Sequence, residues 1–446
     1  MTTASHPLWR QISRPLRLVV SGRGSRGATL QTFLARGSVL GINLATGIIT
    51  TRWLGPEGRG EQAALAIAVF FFAGLLSLGL PSALTYRMSR WPQDRSRLFG
   101  AALVLCAGLG AIATVLGIAV IPIWLDDHPP RTVALAQILM VTCVFSLLIP
   151  ISTSAFEAMG DFTTANIVRF LNPTLTLLAL LGFAALDIFT PLTATLSYIG
   201  AGVVLASWML VRLWRRCRPT LERFTRSVRE LLHFGLRAYG IDILNTLALQ
   251  LDQVLVVALL HPAQAGAYFA ALSAARVLSV VQMSVVTVVF PKASSRPRDE
   301  ALALVAMAAR WTFAGTLALA VPVFAFGPFL IELLYGEAFL DAVPLLRLLV
   351  IEVFVSSLVM VLAQGFMALG RPGWIAILQA VGLALAAPLM AALIPLYGLS
   401  GVGMALIASS AVRLVFVLVA YRTVLETWPP SLILRPSDVR ALLRRF

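Results

Sequence analysis

The chain has 446 residues, of which 59% are hydrophobic and only 12% are charged, and its mean hydropathy is +0.88. Soluble domains hold about 25% charged residues, so this composition excludes an ordinary soluble fold. Apolar runs of about 20 residues recur along the chain, and each can cross a bilayer as a helix. They lack the alternation of a membrane β-barrel. The composition therefore predicts an all-α polytopic membrane protein.

The net charge of +15 comes from 34 arginines and one lysine against 20 acidic residues. Because the arginines cluster in loops and tails, membrane topology explains them, and we predict no nucleic-acid partner. Cys106, Cys143 and Cys217 are not spaced as metal ligands. We predict no metal site, no cofactor and no disulfide framework. Residues 1–29 are basic and lack an early apolar core, which predicts a cytoplasmic tail instead of a signal peptide.

Twelve spans are predicted from the apolar runs. They cover residues 31–53, 62–87, 98–125, 132–156, 162–186, 191–212, 232–260, 264–290, 302–326, 345–369, 373–397 and 400–422. An even number of spans places both termini on one side of the membrane.

Arginine-rich loops alternate with short neutral or acidic ones along the chain. "RLWRRCRPTLERFTRSVR" (212–229) belongs to the first set, and "DDHPP" (126–130) and "YGEAFLDA" (335–342) belong to the second. Short basic loops stay in the cytoplasm, so we expect both termini inside a bacterial inner membrane. The predicted domains are a basic tail at 1–29, a six-helix lobe at 30–212, a cytoplasmic linker at 213–230, a second lobe at 231–422 and a tail at 423–446.

The motif "LGPEGRGEQAAL" (54–65) has a counterpart in "LHPAQAGAYFAAL" (260–272). Pro56 matches Pro262 and Gly60 matches Gly266, both at an offset of 206 residues. A second match joins "FEAMGDFTTANI" (156–167) to "FMALGRPGWIAI" (366–377). Together they predict two parallel repeats of six helices about a pseudo-two-fold axis, a common plan for transporters with a site between lobes. In each lobe the proline and glycines predict a tight hairpin at the outer end of the first span pair.

Three segments resemble a known family. "TRWLGPEGRGEQAAL" (51–65), "LQLDQVLVVALLHPAQAGAYFAA" (249–271) and "PFLIELLYGEAFLDAVPLLRLL" (328–349) are similar, in order and spacing, to polysaccharide-biosynthesis flippases. These belong to the multidrug/oligosaccharidyl-lipid/polysaccharide exporter superfamily. The resemblance implies two six-helix lobes, alternating access and an oligosaccharide–lipid substrate. Where the related lipid II flippase has cavity arginines in its first span, this chain has Asn43 and Thr46, with Arg36 and Arg52 at the ends.

Ionisable residues within spans are costly and usually face a cavity or a partner. Guanidinium groups bind phosphate oxygens bidentately, so deep arginines suit an anionic cargo. The substrate-binding candidates are Arg276, Arg413, Arg169 and Arg52. The ion-coupling candidates are Asp242, Asp252 and Glu352. Asp252 and Arg276 lie at similar depth in adjacent helices, so a structural ion pair between them is an equal alternative.

Four arginines lie deep within the predicted spans and outnumber the three deep acids; they are Arg169, Arg276, Arg310 and Arg413. The predicted function is to flip polyprenyl-pyrophosphate-linked oligosaccharides, driven by H⁺ or Na⁺, with a polysaccharide polymerase and glycosyltransferases as possible partners. A multidrug or cation antiporter of the same superfamily and a lipid II flippase are the alternatives. A membrane-embedded glycosyltransferase or polymerase is disfavoured, because the longest outer loop is about 18 residues and the chain has no catalytic motif. A scaffold role would leave the deep charges unexplained.

Overall fold

The computed structural model describes residues 25–433, and in this part of the chain the regular structure is helical throughout. The helices are α1 (Ser25–Leu75), α2 (Leu80–Arg90), α3 (Arg95–Trp124), α4 (Pro130–Leu139), α5 (Cys143–Ala158), α6 (Phe162–Ala185), α7 (Pro191–Cys217), α8 (Phe224–Leu259), α9 (Pro262–Ala275), α10 (Ser279–Ser294), α11 (Arg298–Ala325), α12 (Gly327–Tyr335), α13 (Val343–Ala368), α14 (Gly373–Tyr397) and α15 (Leu399–Thr423). The predicted all-α fold is confirmed. Helix α1 begins inside the predicted tail, most of which lies outside the described residues.

Helix α1 consists of two arms that meet at one residue. Gly55 has a φ of 67° and a ψ of −178°, and Pro56 opens the second arm. A positive φ suits glycine, and proline is favoured in the first turn of a helix. Gly47 of the first arm faces Ser273, and Gly74 of the second arm faces Thr246. The two arms therefore form a hairpin, and both extend from Gly55 toward the same end of the molecule.

Ten helices of the described chain are long and apolar enough to cross a membrane, or eleven when α1 from Gly37 and α2, which meet at a 48° bend, count as one span. Gly79, with a φ of 67°, and Pro81 in the first turn of α2 account for the bend. The predicted count of twelve treats the arms of α1 as separate spans, and it stays a prediction.

The helices connect at two opposite ends of the molecule. We call the end that carries Pro56 and Pro262 the turn end, and the end that carries the connection from Cys217 to Phe224 the linker end. We call residues 25–217 the first half and residues 224–423 the second half.

Three buried apolar clusters hold the chain together. The largest contains residues of both halves, among them Leu65 and Tyr268, and lies toward the turn end. A second fills the first half at the linker end and takes from the second half only the start of α8, at Leu231. The third, around Phe366, belongs to the second half alone. The halves therefore share a core at the turn end and have separate cores at the linker end.

Candidate substrate passage and its charged residues

The turn end is closed by a reciprocal contact between the two repeated motifs. A Cβ added to Gly60 would overlap the carbonyl of Pro262, and a Cβ added to Gly266 would overlap the carbonyl of Pro56. These four residues are the predicted repeat partners. Contacts in which each copy offers the same surface to the other arise at a two-fold axis, so the geometry supports the predicted repeat. We call this contact the glycine closure.

Behind the glycine closure, polar side chains stay exposed midway along the spans. Asn43 on α1 and Arg276 at the end of α9 are both exposed. Charged or amide groups facing lipid at mid-depth would be costly, so we infer that these residues face a polar space between the halves. We call this space the passage. The apolar cluster that the halves share lies toward its turn end, and the two separate clusters lie toward its linker end.

Arg276 lies at a break between two helices, in a 3₁₀ turn from Arg276 to Leu278 that interrupts the span formed by α9 and α10. Among the described residues, no carboxylate oxygen is within the 4.0 Å limit of an ion pair with Arg276. Asp252 instead accepts a hydrogen bond from the Tyr268 hydroxyl at 2.6 Å. Arg276 and Asp252 therefore do not form the direct ion pair that the sequence offered as an alternative.

Arg413 on α15 and Glu352 on α13 form a local network within the second half. Ser410 donates to a Glu352 oxygen at 2.7 Å, and Arg413 lies 2.7 Å from the same serine hydroxyl and 3.8 Å from Glu352. Both charged side chains are mostly buried, at 14% and 15% exposed. Gly382 on α14 leaves room for the Arg413 side chain, since a Cβ there would come within 2.6 Å of Arg413 Cδ. Sequence reasoning found both residues but not their proximity.

Asp242 on α8 contacts the first half. Its carboxylate accepts a hydrogen bond from Ser82 of α2 at 3.0 Å, and its carbonyl accepts one from Thr246. A carboxylate that links the two halves is in a place where a bound ion could change their relative position. The coupling role of Asp242 stays a prediction.

The two remaining predicted substrate ligands are engaged elsewhere. Arg52 donates to the Leu333 carbonyl of α12 at 2.8 Å and so joins the first half to a short helix at the turn end. Arg169 pairs with Glu157 at 2.5 Å, close to the linker end, and its side chain is 60% exposed. Neither residue joins Arg276 or Arg413 in a common group in this conformation.

Arg59 is the charged residue that sequence reasoning missed. It is only 9% exposed, bonds to the Gln62 side chain, and places its guanidinium 5.4 Å from the ring centre of Phe269 in the other half. It also interacts electrostatically with Arg276. In the sequence, Arg59 is recognisable only as an arginine within the turn motif. Its burial depends on the contact with Phe269 of the other half.

A second set of contacts joins the halves at the linker end. Arg97 at the start of α3 pairs with Asp94 at 2.8 Å and with Glu230 of α8 at 3.2 Å. Tyr86 and Phe234 stack with ring centres 4.4 Å apart. These contacts fix the start of α8 to the first half. No metal-binding group of three or more His, Cys, Asp or Glu side chains occurs within residues 25–433.

The fold defines the class of protein. The chain is similar to an inward-facing multidrug resistance MATE family transporter of the MOP superfamily (TM-score 0.69, 16% identity, 87% of this chain and 96% of that chain). It is also similar to the lipid II flippase MurJ in an inward closed conformation (TM-score 0.71, 14% identity, 89% and 87%). A MOP superfamily transporter from Pyrococcus furiosus matches with a TM-score of 0.58, 17% identity and coverages of 93% and 99%. At these identities the likeness establishes the fold, which is that of membrane transporters.

The family follows from the sequence. Residues 49–344 match the model of a family described as polysaccharide biosynthesis protein, and the chain belongs to that family. No curated protein matches the chain. The predicted resemblance to a polysaccharide-biosynthesis family is thereby confirmed. The long apolar helices and the fold shared with membrane transporters show a multi-pass membrane protein.

Proposed function

We propose that this protein flips polyprenyl-pyrophosphate-linked oligosaccharides across the bacterial cytoplasmic membrane by alternating access. The observation that supports this most directly is Arg276, an exposed guanidinium at mid-span beside the passage with no carboxylate of the described chain in ion-pair contact. A cation in this position needs an anionic partner, and the pyrophosphate of a lipid-linked sugar supplies one. Membership of the polysaccharide biosynthesis family supports a glycan on that carrier.

The charges of the passage suit such a cargo. A pyrophosphate is strongly hydrated, and it can enter a low-dielectric site only if donors replace its water. A guanidinium does so with two parallel hydrogen bonds, which an ammonium cannot supply. Arg413 could act as a second ligand once it releases Ser410 and Glu352, which hold it at 2.7 Å and 3.8 Å in this conformation. Arg52 and Arg169 are engaged away from Arg276 and are weaker candidates.

The conformation supports one half of an alternating-access cycle. The glycine closure joins the halves backbone against backbone at the turn end, and we take the linker end as the side on which the passage is open. Basic residues lie mainly at the linker end, for example Arg215, Arg216 and Arg226, whereas the turn end carries Asp126 and Asp127. By the positive-inside rule the linker end is cytoplasmic, so this state would receive cargo from the side where lipid-linked sugars are assembled.

Ion coupling remains part of the proposal. Asp252, Glu352 and Asp242 each accept one side-chain hydroxyl, from Tyr268, Ser410 and Ser82. An ion drives transport only if its affinity differs between the conformations of the two halves. Asp242 meets this condition best, because Ser82 lies in the other half and would be lost as a partner when the halves move. H⁺ and Na⁺ are the candidate ions.

The test is flipping of a fluorescent polyprenyl-pyrophosphate oligosaccharide in proteoliposomes. Arg276→Ala should abolish flipping and Arg276→Lys should restore part of it, because a lysine keeps the charge without the guanidinium geometry. Arg215→Ala, an exposed linker-end change, is the matched control and should flip normally. Full activity of Arg276→Ala, or export of organic cations with no flipping, would overturn the proposal in favour of a cation antiporter.

Coupling is tested in the same vesicles under imposed pH and Na⁺ gradients. Asp242→Asn should uncouple flipping from the gradient, and Asp252→Asn and Glu352→Gln serve as comparisons. If collapsing both gradients leaves the wild-type rate unchanged, the ion-coupling part fails. The flipping assay above is independent of that outcome. Pull-downs with the polymerase and glycosyltransferases of the same assembly system would test the proposed partners.

A further inference from the structure

Arg59 is a buried cation without a buried counter-ion. It is 9% exposed, and within residues 25–433 no carboxylate lies in ion-pair contact with it. Burying an unpaired charge is costly because the protein interior does not replace the water around it. The Phe269 ring and the Gln62 amide recover only a part of that cost.

Donor groups around Arg59 are left without acceptors. The Nε of Arg59 and the hydroxyl of Tyr335 are buried and have no hydrogen-bond partner among the described residues. Tyr335 is 3% exposed, and it lies on α12, which packs against the helix of Arg59 and accepts a hydrogen bond from Arg52 at Leu333. Buried donors are nearly always satisfied in folded proteins, so an unsatisfied N–H of the Arg59 cation and an unsatisfied hydroxyl of Tyr335 point to a place for an acceptor.

A second cation lies nearby. Arg276 follows Phe269, the ring that Arg59 contacts, by about two helical turns, so the two positive charges repel each other near the closed end of the passage. Like charges in a low-dielectric region are unfavourable unless an anion lies between them. Asp252 partly offsets Arg276, but the Tyr268 hydroxyl already occupies one of its oxygens.

From these three observations we infer that Arg59 and Tyr335 form an anion-binding site at the closed end of the passage, which binds a phosphate group of the cargo beyond Arg276. The inference rests on the proposed function, because it assigns a second station to the same pyrophosphate. Arg59 directly precedes Gly60 of the glycine closure, and it contacts Phe269 in the other half. Separation of the halves at the turn end therefore breaks the Phe269 contact and exposes the site to the far side.

The position of the site also implies a direction of movement for the anion. An anion that leaves Arg276 for Arg59 moves toward the turn end, and charge neutralisation at Arg59 removes the repulsion between the two arginines. A purely structural role for Arg59, as a cation–π contact between the halves, predicts that changing Arg59 or Tyr335 leaves the affinity for an anion unchanged. Binding of inorganic pyrophosphate to such variants separates the two roles.

The experiment measures binding of inorganic pyrophosphate to the full detergent-solubilised chain by calorimetry, with chloride as the competing anion. Tyr335→Phe removes one hydroxyl and should weaken binding about tenfold, the loss of one hydrogen bond to a charged group. Arg59→Lys should weaken it by at least as much, and Arg59→Gln should weaken it further. Arg131→Gln, an exposed turn-end arginine, is the matched control and should bind like the wild type.

The outcomes separate this inference from the proposed function. If Tyr335→Phe and Arg59→Gln bind pyrophosphate like the wild type while Arg276→Gln binds weakly, Arg59 is structural and the flippase proposal stands. If the wild type shows no affinity for pyrophosphate at millimolar concentration, the anion site is refuted, whereas flipping by Arg276 variants is judged separately. Should Arg59 variants fail to fold, Tyr335→Phe alone decides, because it deletes a single oxygen.

Discussion

Gly60 lies against the carbonyl of Pro262 so closely that no side chain fits between the two helices. The same relation holds in reverse between Gly266 and Pro56, which are the counterparts of Gly60 and Pro262 at an offset of 206 residues. The turn end of the protein is thus closed backbone against backbone, by two copies of one short motif. Such a contact either forms completely or not at all, which suits a gate.

Replacing Gly60 or Gly266 by alanine should prevent the turn end from closing. The added methyl group overlaps a carbonyl that belongs to a helix and cannot move aside like a flexible side chain. We expect flipping to be lost while the protein is still inserted, and a cross-link between cysteines at Glu57 and Ala263 to form poorly. Gly200→Ala, where no atom lies within 4 Å of the added Cβ, is the control. Normal cross-linking in both closure variants would show that the glycines are not needed.

The ion pair of Arg97 with Glu230 should contribute to the stability of the linker end. Its side chains are 11% and 17% exposed, so solvent screens the pair less than a surface pair. A double-mutant cycle with alanine should give a coupling free energy of about 1 kcal/mol, falling at high salt. The comparison pair is Arg169 with Glu157, whose arginine is 60% exposed and whose coupling should be smaller. Equal couplings in the two pairs would contradict this reading.

His128 should make the turn end less stable in acid. Burial lowers the pKa of its imidazole, only partly opposed by Asp127, and neither ring nitrogen has a hydrogen-bond partner among the described residues. The groups facing it across the same cleft are Glu57, Asp126 and His261.

The lowered pKa of His128 decides how stability changes with pH. The buried state binds the proton less well than a state with His128 in water, so its stabilisation is complete above the ordinary histidine pKa of about 6.5 and falls as the pH drops through that value. Each unit between the two pKa values corresponds to about 1.4 kcal/mol. Thermal unfolding from pH 8 to pH 5 should therefore lose less stability in His128→Gln than in the wild type. The exposed His261→Gln serves as the control, and identical pH profiles for His128→Gln and wild type would refute the assignment.

The orientation in the membrane can be read with single cysteines. Glu337→Cys at the turn end should react with a membrane-impermeant maleimide in intact cells, and Glu222→Cys at the linker end only after permeabilisation. Both positions are exposed, so access is limited by the membrane and not by burial. The native Cys106, Cys143 and Cys217 are buried and give a low background. The reverse pattern would invert the topology and with it the direction of transport.

Local chemistry was enough to determine several features from the sequence. Apolar runs separated by arginine-rich or proline-containing loops predicted the all-α membrane fold, because hydrocarbon leaves the backbone few ways to satisfy its hydrogen bonds. Gly55 and Pro56 predicted the sharp turn of α1. The polysaccharide biosynthesis family was also recognisable, since its motifs occur in order along the chain.

The charged site depended on contacts between distant parts of the chain, which periodicity does not encode. Depth alone grouped Arg169 with Arg276, yet Arg169 pairs with Glu157 near the linker end. Depth also suggested Arg276 as a partner of Asp252, where the structure places Tyr268 instead. Arg59 lies in a turn motif, and it becomes a buried passage residue only because Phe269 of the other half covers it. The helices and the glycine–proline turn motif thus follow from local sequence patterns. Which charges share a site follows from the packing of one half on the other, because two side chains meet only when their helices do.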